Sequence, residues 1–406
     1  MKKTFFLFTA AILAMSAISC TKQLSSAAST PVAPEPTGSI RVTIDTEETK
    51  IASTRDGESE VRSLQVFVFD KDGKLETDKY DDKGAKELTL TTLTGDKHIW
   101  ALVNAPRQNL VKDTPESSFA QTVSYLSDNL FSTSKEQCGL VMVGAYGATH
   151  IPGSQQGALN PEFKEIPAYA VGSDTPEAVA INVYRLGARI SLAKVTVNFS
   201  ESSLKGATFK IHDIYLKNVV NGLKIDGTAT DLTSNANFWT NCMTDHETSS
   251  NHNGNFYIDG GATSRHEDLK YLLCDKNINL GPVTTSGAIT VNRDWYVYPN
   301  PTTGDSSAST WAARYTRLVL HAVVNANDND IHTYYVFPIP PVSGATTTPK
   351  TFDRILSNHT YDISNITITM LGKDNDDSDE LSETGKAKIT ITVSGWTQNY
   401  TVTYEI

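Results

Sequence analysis

This chain of 406 residues contains the side chains that do chemistry, but few stand at a spacing that chemistry needs. His246-Glu247, His252 and His266-Glu267 lie near one another, where imidazole and carboxylate could hold a metal ion. The Asn, Ser and Thr around them read instead as a polar surface loop. The run Asp374-Asn375-Asp376-Asp377-Ser378-Asp379-Glu380 alternates carboxylates as a Ca²⁺ loop does, yet it lacks the glycine and the distal glutamate of an EF-hand. It reads as a solvated hairpin loop between Met370 and Lys388. No GxSxG, HExxH, phosphate-binding or dinucleotide-binding glycine motif occurs. Trp239, Trp295 and Trp311 are of a type that stacks on sugars, although tryptophan in a β-sandwich is ordinarily core. No carboxylate pair favours glycoside cleavage. The expectation is a protein that is not an enzyme, with no cofactor and no metal.

The sharpest chemical position is Cys20. Lys2 and Lys3 precede an apolar run from Phe5 to Ala14, which closes on Ala17-Ile18-Ser19-Cys20. A basic start, a short apolar core and small residues at its end make residues 1–19 a secretory signal peptide. The apolar core falls short of the roughly 20 residues of a membrane span. A cysteine directly after Ala-Ile-Ser matches a bacterial lipobox, in which the thiol takes a lipid and the signal is cut before it. Cys20 is therefore the expected lipidation site. Three cysteines remain, Cys138, Cys242 and Cys274, with no CxxC or Cys/His cluster of the zinc type. A pairing of Cys242 with Cys274 stays open, required by nothing in the sequence.

The formal net charge of −11 argues against nucleic acid, whose phosphates need a basic face. Hydrophobic content of 39% over this length is enough for two domain cores. After Cys20 no apolar run is long enough to cross a membrane.

Residues 21–37, rich in Ser, Ala, Thr and Pro, cannot bury a core and read as a tether. Strict alternation then begins, with Ile40, Val42 and Ile44 on one face of a strand. A polar gap from Glu47 to Glu60 separates it from the strand Leu64–Phe69, which ends at the turn Asp70-Lys71-Asp72-Gly73. Further strands are expected at Ile99–Val103, Ala188–Phe199, Phe209–Leu216, Asp294–Val297, Thr316–Val324, Thr333–Phe337, Tyr361–Met370 and Lys388–Trp396. Ser117–Leu130 and His266–Leu273 read as short helices, and 166–182 as late first-domain or linker chain. Many short strands between Gly, Asn, Asp and Pro clusters predict an all-β, sandwich-like protein. The expected division is a lipidated tether with the first strand over 20–55, an N-terminal sandwich over 56–182 and a C-terminal sandwich over 183–406.

The two ends carry matching patterns. Tyr400, Val402, Tyr404 and Ile406 alternate with polar residues to the end of the sequence, predicting a strand with one buried face. Arg55-Asp56 lies in the polar gap after the first strand, where a protease can reach it. A cut after Arg55 would release the Ile40–Ile44 strand together with the lipid. The sheet would then show an apolar groove with unpaired backbone groups, which the 400–406 segment of another copy could fill. Donor and acceptor surfaces differ, so the contact is head-to-tail and builds a filament.

The chain resembles the major fimbrial subunits (fimbrillins, FimA-type) of the Bacteroidales, the pilins of type V pili. The landmarks are Ser53-Thr54-Arg55-Asp56 with Glu58-Ser59-Glu60-Val61 and Leu64–Phe69; Gly139-Leu140-Val141-Met142; Tyr184-Arg185-Leu186-Gly187-Ala188-Arg189; Asn358-His359-Thr360-Tyr361-Asp362-Ile363; and Thr392-Val393-Ser394-Gly395-Trp396-Thr397. Their order after a lipobox is what makes the set specific. The resemblance implies two transthyretin-like β-sandwich domains and export as an outer-membrane lipoprotein, acylated (palmitate) on Cys20. It implies maturation by an arginine-specific protease at Arg55–Asp56 and donor-strand exchange into a surface fimbria involved in adhesion. Ile40, Val42 and Ile44 would belong to the strand removed; Tyr400, Val402, Tyr404 and Ile406 would belong to the donor. Partners would be other copies and related pilins, the protease, outer-membrane lipid before cleavage and a surface ligand. Arg41 and Arg62 are alternative cuts, less accessible because one lies within a strand pattern and the other beside one. The runner-up reading is a non-polymerising surface adhesin or glycan-binding lipoprotein, or a pilus tip subunit.

Overall fold

The computed structural model describes residues 37–46, 60–125, 140–148, 158–168, 175–217, 219–220, 222–229, 238–241, 256–258, 262–263, 282–284, 286–300, 316–339, 355–374, 387–394 and 399–405. They are almost wholly β, in sheets arranged as sandwiches, and all lie in one compact unit, Pro36–Ile406. Among them no helix is long and apolar enough to cross a membrane.

The first half supplies β1 (Thr37–Thr46), β2 (Leu64–Phe69), β3 (Leu75–Asp81), β4 (Glu87–Leu93), β5 (Gly95–Val103), α1 (Glu116–Ala120), β6 (Val123–Tyr125), β7 (Met142–Ala145), β8 (Lys164–Ile166) and β9 (Glu177–Arg185). One sheet runs β3-β2-β5-β7-β9-β1-β4, with β8 paired to β5. It wraps around a core of Ile40, Val42 and Ile44, Leu64, Val66 and Val68, Leu88 and Leu90, and Ile99, Ala101 and Val103, joined by Val179, Ile181 and Val183. Each trio is spaced by two, so each strand turns one face inward. The sheet change falls between Arg185 and β10, which begins at Ala188, so residue 183 itself lies inside β9.

The second half supplies β10 (Ala188–Val197), β11 (Thr208–Lys217), β12 (Val219–Val220), β13 (Gly222–Lys224), β14 (Phe238–Asn241), β15 (Phe256–Ile258), β16 (Ala262–Thr263), β17 (Val283–Thr284), β18 (Ala288–Val297), β19 (Arg317–Ala326), β20 (Asn329–Pro338), β21 (Thr360–Ile368), β22 (Ala387–Ser394) and β23 (Asn399–Glu405). Two principal sheets, β18-β10-β21-β22-β23 and β17-β11-β19-β20, carry the buried faces of this half, including Ile190, Leu192, Phe209, Ile211, Leu320 and Ile389. Trp295 is core, at 1% exposure.

Strands β2, β9 and β6 each differ from the sequence reading for a physical reason. β2 has all six residues buried, because Leu64, Val66 and Val68 face the first core while Phe67 and Phe69 face a second cluster on the other side of the sheet. The segment 166–182, expected to be late first-domain or linker chain, contains the start of β9, a strand paired on both edges. Gly144 in β7 permits that pairing to be close: a Cβ there would lie 2.1 Å from the Asn182 carbonyl oxygen. The expected helix Ser117–Leu130 is corrected to the single turn α1, followed by β6. Phe119 fills the space beside Phe67 (ring centroids 4.5 Å apart), and Glu116 accepts a 2.7 Å hydrogen bond from Trp100 Nε1. Past that turn, Val123–Tyr125 pairs antiparallel with β13, and strand pairing outweighs the local helical pattern. The other expected helix, His266–Leu273, lies outside the described residues.

Two of the family-like segments meet at the sheet change. The Arg189 amide donates to the His359 carbonyl and the Asn358 amide to the Gly187 carbonyl, both at 2.9 Å. Ser357 Oγ donates to the Leu186 carbonyl at 2.8 Å, and Arg185 Nη1 donates to Asn358 Oδ1 at 3.2 Å. Asn358 sits at φ 57°, a left-handed conformation that asparagine tolerates better than most residues.

Candidate functional site

β1 is held from both sides. It pairs antiparallel with β4 from Thr37↔Leu93 to Thr43↔Glu87, and parallel with β9 from Ile40↔Glu177 to Thr46↔Val183. A strand so placed satisfies two ladders of backbone groups, and taking it out would leave both unpaired. Its inner face is Ile40 and Val42 at 0% exposure and Ile44 at 4%, while Thr43 and Asp45 on the other face are exposed. The alternation read from the sequence is therefore a real buried face. At about 1.5–3 kcal/mol for each fully buried aliphatic side chain, the three together are worth on the order of 5–9 kcal/mol of burial.

Polar and steric detail fix its register. Ser39 Oγ donates to the Leu90 carbonyl at 3.2 Å, and Thr43 Oγ1 donates to Glu87 at 3.2 Å. Gly38 passes under β8, where a Cβ would lie 2.7 Å from Ile166 Cγ2 and 2.8 Å from the Pro167 carbonyl oxygen. Lys164 on β8 reaches across to Glu177, the register partner of Ile40, at 2.6 Å. The hydrogen bond to Glu177 holds the Lys164 ammonium above the ordinary lysine range, against the opposing effect of burial.

At the other end of the chain, β23 pairs antiparallel with β22 from Lys388↔Glu405 to Ser394↔Asn399. Tyr400, Val402 and Tyr404 stand opposite Val393, Ile391 and Ile389 in that register. β23 is the last strand of its sheet, so among the described residues one of its edges carries the ladder to β22 and the other carries none. The structure thus gathers Ile40, Val42 and Ile44 into one core and sets Tyr400, Val402 and Tyr404 on an edge strand.

Cys20, Arg55, Asp56 and Ile406 lie outside the described residues, as do Cys138, Cys242, Cys274, His246, His252, His266 and Trp311. Of the alternative cut positions, Arg41 lies inside β1. Arg62 is half-buried, its amide bonded to Asn104 Oδ1 at 2.8 Å and its guanidinium paired to Glu60 at 3.0 Å. The sequence reading missed β4 and β9, the two walls of the slot that holds β1. Their signal was present: Leu88 and Leu90 alternate in β4, and Val179, Ile181 and Val183 in β9.

Comparison with known proteins agrees with this architecture. Residues 37–157, which include β1 and one wall of its slot, β4, match the family model described as major fimbrial subunit protein (FimA). No curated protein matches the sequence. A solved fimbrilin (FimA) from Porphyromonas gingivalis W83 is similar with a TM-score of 0.57 at 15% identity, over 89% of this chain and 98% of that one. A candidate cell adhesion protein from Parabacteroides distasonis is similar with a TM-score of 0.57 at 17% identity, over 89% of this chain and all of that one (100%). Another from Bacteroides eggerthii gives 0.55 at 14% identity, over 92% and 98%. At these identities the likeness is one of fold. The matched proteins are structural fimbrial and cell-adhesion proteins rather than enzymes.

Proposed function

We propose that this chain is a fimbrial subunit of the FimA type, a reading supported by the family-model match and the shared fold, and that it is a pilin precursor which polymerises by exchanging strands. Residues 1–19 export it, and Cys20 anchors it by lipid to the outer membrane. An arginine-specific protease cuts after Arg55, β1 leaves with the tether, and the 399–406 segment of another copy enters the vacated slot. Two tandem sandwiches, the first receiving and the second donating, make each subunit a head-to-tail link in a cell-surface fimbria.

The observation that carries this reading is the position of β1. It is paired on both sides and buries three aliphatic side chains, and its covalent connection onward to β2 runs through residues 47–63, which contain Arg55. Losing it would expose two open ladders and an apolar groove, the template that strand addition needs. The alternation of Tyr400, Val402 and Tyr404 has the same period as Ile40, Val42 and Ile44, so three side chains can enter the three vacated places.

The test is limited proteolysis with an arginine-specific protease, followed by electron microscopy and identification of the new N-terminus. The expected result is an N-terminal Asp56 on filament subunits, and a folded, cleaved monomer without filaments when residues 399–406 are deleted. Filaments from the truncated protein would refute the donor assignment. Surface protein that keeps a lipidated Cys20 and never oligomerises would instead fit a retained adhesin.

A further inference from the structure

Away from the slot, the sheet β17-β11-β19-β20 turns one face to the large core and gathers a second cluster on the other. On β11 the core positions are Phe209 and Ile211, then Ile214 and Leu216, so the alternation slips by one step between them. The slip is a β-bulge: Ile211 stands opposite Ala322 and Asp213 opposite His321, leaving His212 as the extra residue. In a regular strand His212 and Asp213 would face opposite ways. Here both turn towards His321.

The result is a tight group. Asp213 Oδ2 accepts from His212 Nδ1 at 2.6 Å and from His321 Nδ1 at 3.0 Å. Among the described residues, His212, Asp213 and His321 each place one ligand atom within 4.8 Å of the other two. His321 is fully buried, Asp213 nearly so, and the His212 side chain keeps 30% of its surface exposed. His321 Nε2 lies 3.0 Å from His332 Nδ1 on β20, and its ring is stacked on Tyr334 at 4.3 Å with planes 4° apart.

We propose that His212, Asp213 and His321 form a site for a divalent transition-metal cation of the zinc type, with His332 as the positioning residue behind it. Two imidazole nitrogens and a carboxylate are the donor set that such a cation takes, with a fourth place left for water on the side where His212 meets solvent. A tetrahedral zinc centre sets its ligand atoms about 3.3 Å apart at the usual bond lengths, so the hydrogen-bonded atoms part slightly and the two imidazole nitrogens, within 4.8 Å of one another, draw together to admit it. Loading requires the Nδ1 lone pairs of His212 and His321, and in each neutral ring the proton passes from Nδ1 to Nε2. In His321 the new Nε2–H donates to His332 Nδ1 across the existing 3.0 Å contact, and the neutral His332 ring carries its own proton on Nε2 in the loaded state. That hydrogen bond supports the metal-binding tautomer once the ion is in place, as outer partners of metal-bound imidazoles do. The bound ion would pin the β11 bulge to β19.

The test uses the full chain without a histidine tag, stripped with a chelator and titrated with Co²⁺ alone, then Zn²⁺ in competition. The expected result is one saturable equivalent of Co²⁺ with the visible absorption of a four-coordinate nitrogen/oxygen site, displaced by Zn²⁺. His212→Ala should weaken binding by about 100-fold or more, and His332→Phe by about 10–100-fold, the usual loss for an outer-shell partner. His321→Gln should abolish the spectrum, with circular dichroism to confirm folding; if that variant does not fold, the partly exposed His212→Ala decides. No saturable equivalent, or an equivalent that survives His212→Ala unchanged, overturns the proposal.

Discussion

The first and last described strands of this protein are built on the same alternation but placed in opposite circumstances. β1 lies between two neighbours and its apolar residues are sealed in a core. β23 closes a sheet and shares a ladder with β22 alone among the described residues. A strand on a sheet edge can leave at the cost of one ladder, whereas an inserted strand takes two ladders and part of a core with it. The difference separates the sequence pattern, which both share, from the structural dependence, which only β1 has. It also orders the proposed exchange: the slot opens at β1, and the edge strand of a second copy is the element free to enter.

Opposite substitutions at equivalent positions give the largest effect. Val42→Asp puts a charge where Val42 has no solvent contact, and should destabilise the uncleaved precursor by on the order of 4 kcal/mol. Once β1 is gone the substitution is gone with it, so any subunit that survives to cleavage should polymerise normally. Val402→Asp should do the reverse: a folded precursor by circular dichroism, and no filaments by electron microscopy after cleavage. If both variants impair the same stage, the two strands do not have the separate roles assigned to them.

A wall of the slot should behave differently from its occupant. Ile181 on β9 is fully buried in the first core and belongs to the protein both before and after the proposed loss of β1. Ile181→Ala should cost about 2–5 kcal/mol by denaturant unfolding, and the loss should appear in precursor and filament alike. Gly38→Ala is smaller and confined to the precursor. The new methyl meets Ile166 and a carbonyl at under 3 Å, which should cost about 1–3 kcal/mol and leave the cleaved subunit unchanged.

How much of this was legible in the sequence depends on what each element uses to specify itself. The β1 face could be read because Ile40, Val42 and Ile44 alternate with polar residues on one solvent-facing side. β2 was legible as a strand but not as a doubly buried one, since an apolar run does not say that a helical turn covers its second face. β4 and β9 carry period-two patterns diluted by Thr, Ala and Asn, and only pairing with β1 makes them stand out. Ser117–Leu130 misled because one helical turn and a following short strand share local preferences until β13 is brought alongside. The His212–Asp213–His321 group was invisible at a separation of 108 residues between Asp213 and His321. Its one trace was the slip in alternation from Ile211 to Ile214, a bulge written into the sequence.

The smallest effect concerns the bridge over the slot. Lys164 on β8 pairs with Glu177 on β9, the register partner of Ile40. Both ends reach solvent, so Glu177→Gln should remove no more than about 1 kcal/mol. Its pH dependence has a definite sign. The folded lysine is raised, so the pair's contribution is complete below the unfolded lysine pKa, about 10.4, and is lost as the pH climbs through the higher folded value. Unfolding midpoints of wild type and Glu177→Gln should therefore differ by a constant amount from about pH 6 to about pH 9, below the lysine range, and converge only in stronger alkali. A difference that instead vanished near neutrality would mean that another group titrates at this bridge. Because β8 and β9 both remain in the proposed cleaved subunit, the same small difference should persist there, in contrast to Gly38→Ala, whose effect should end with the strand that carries it.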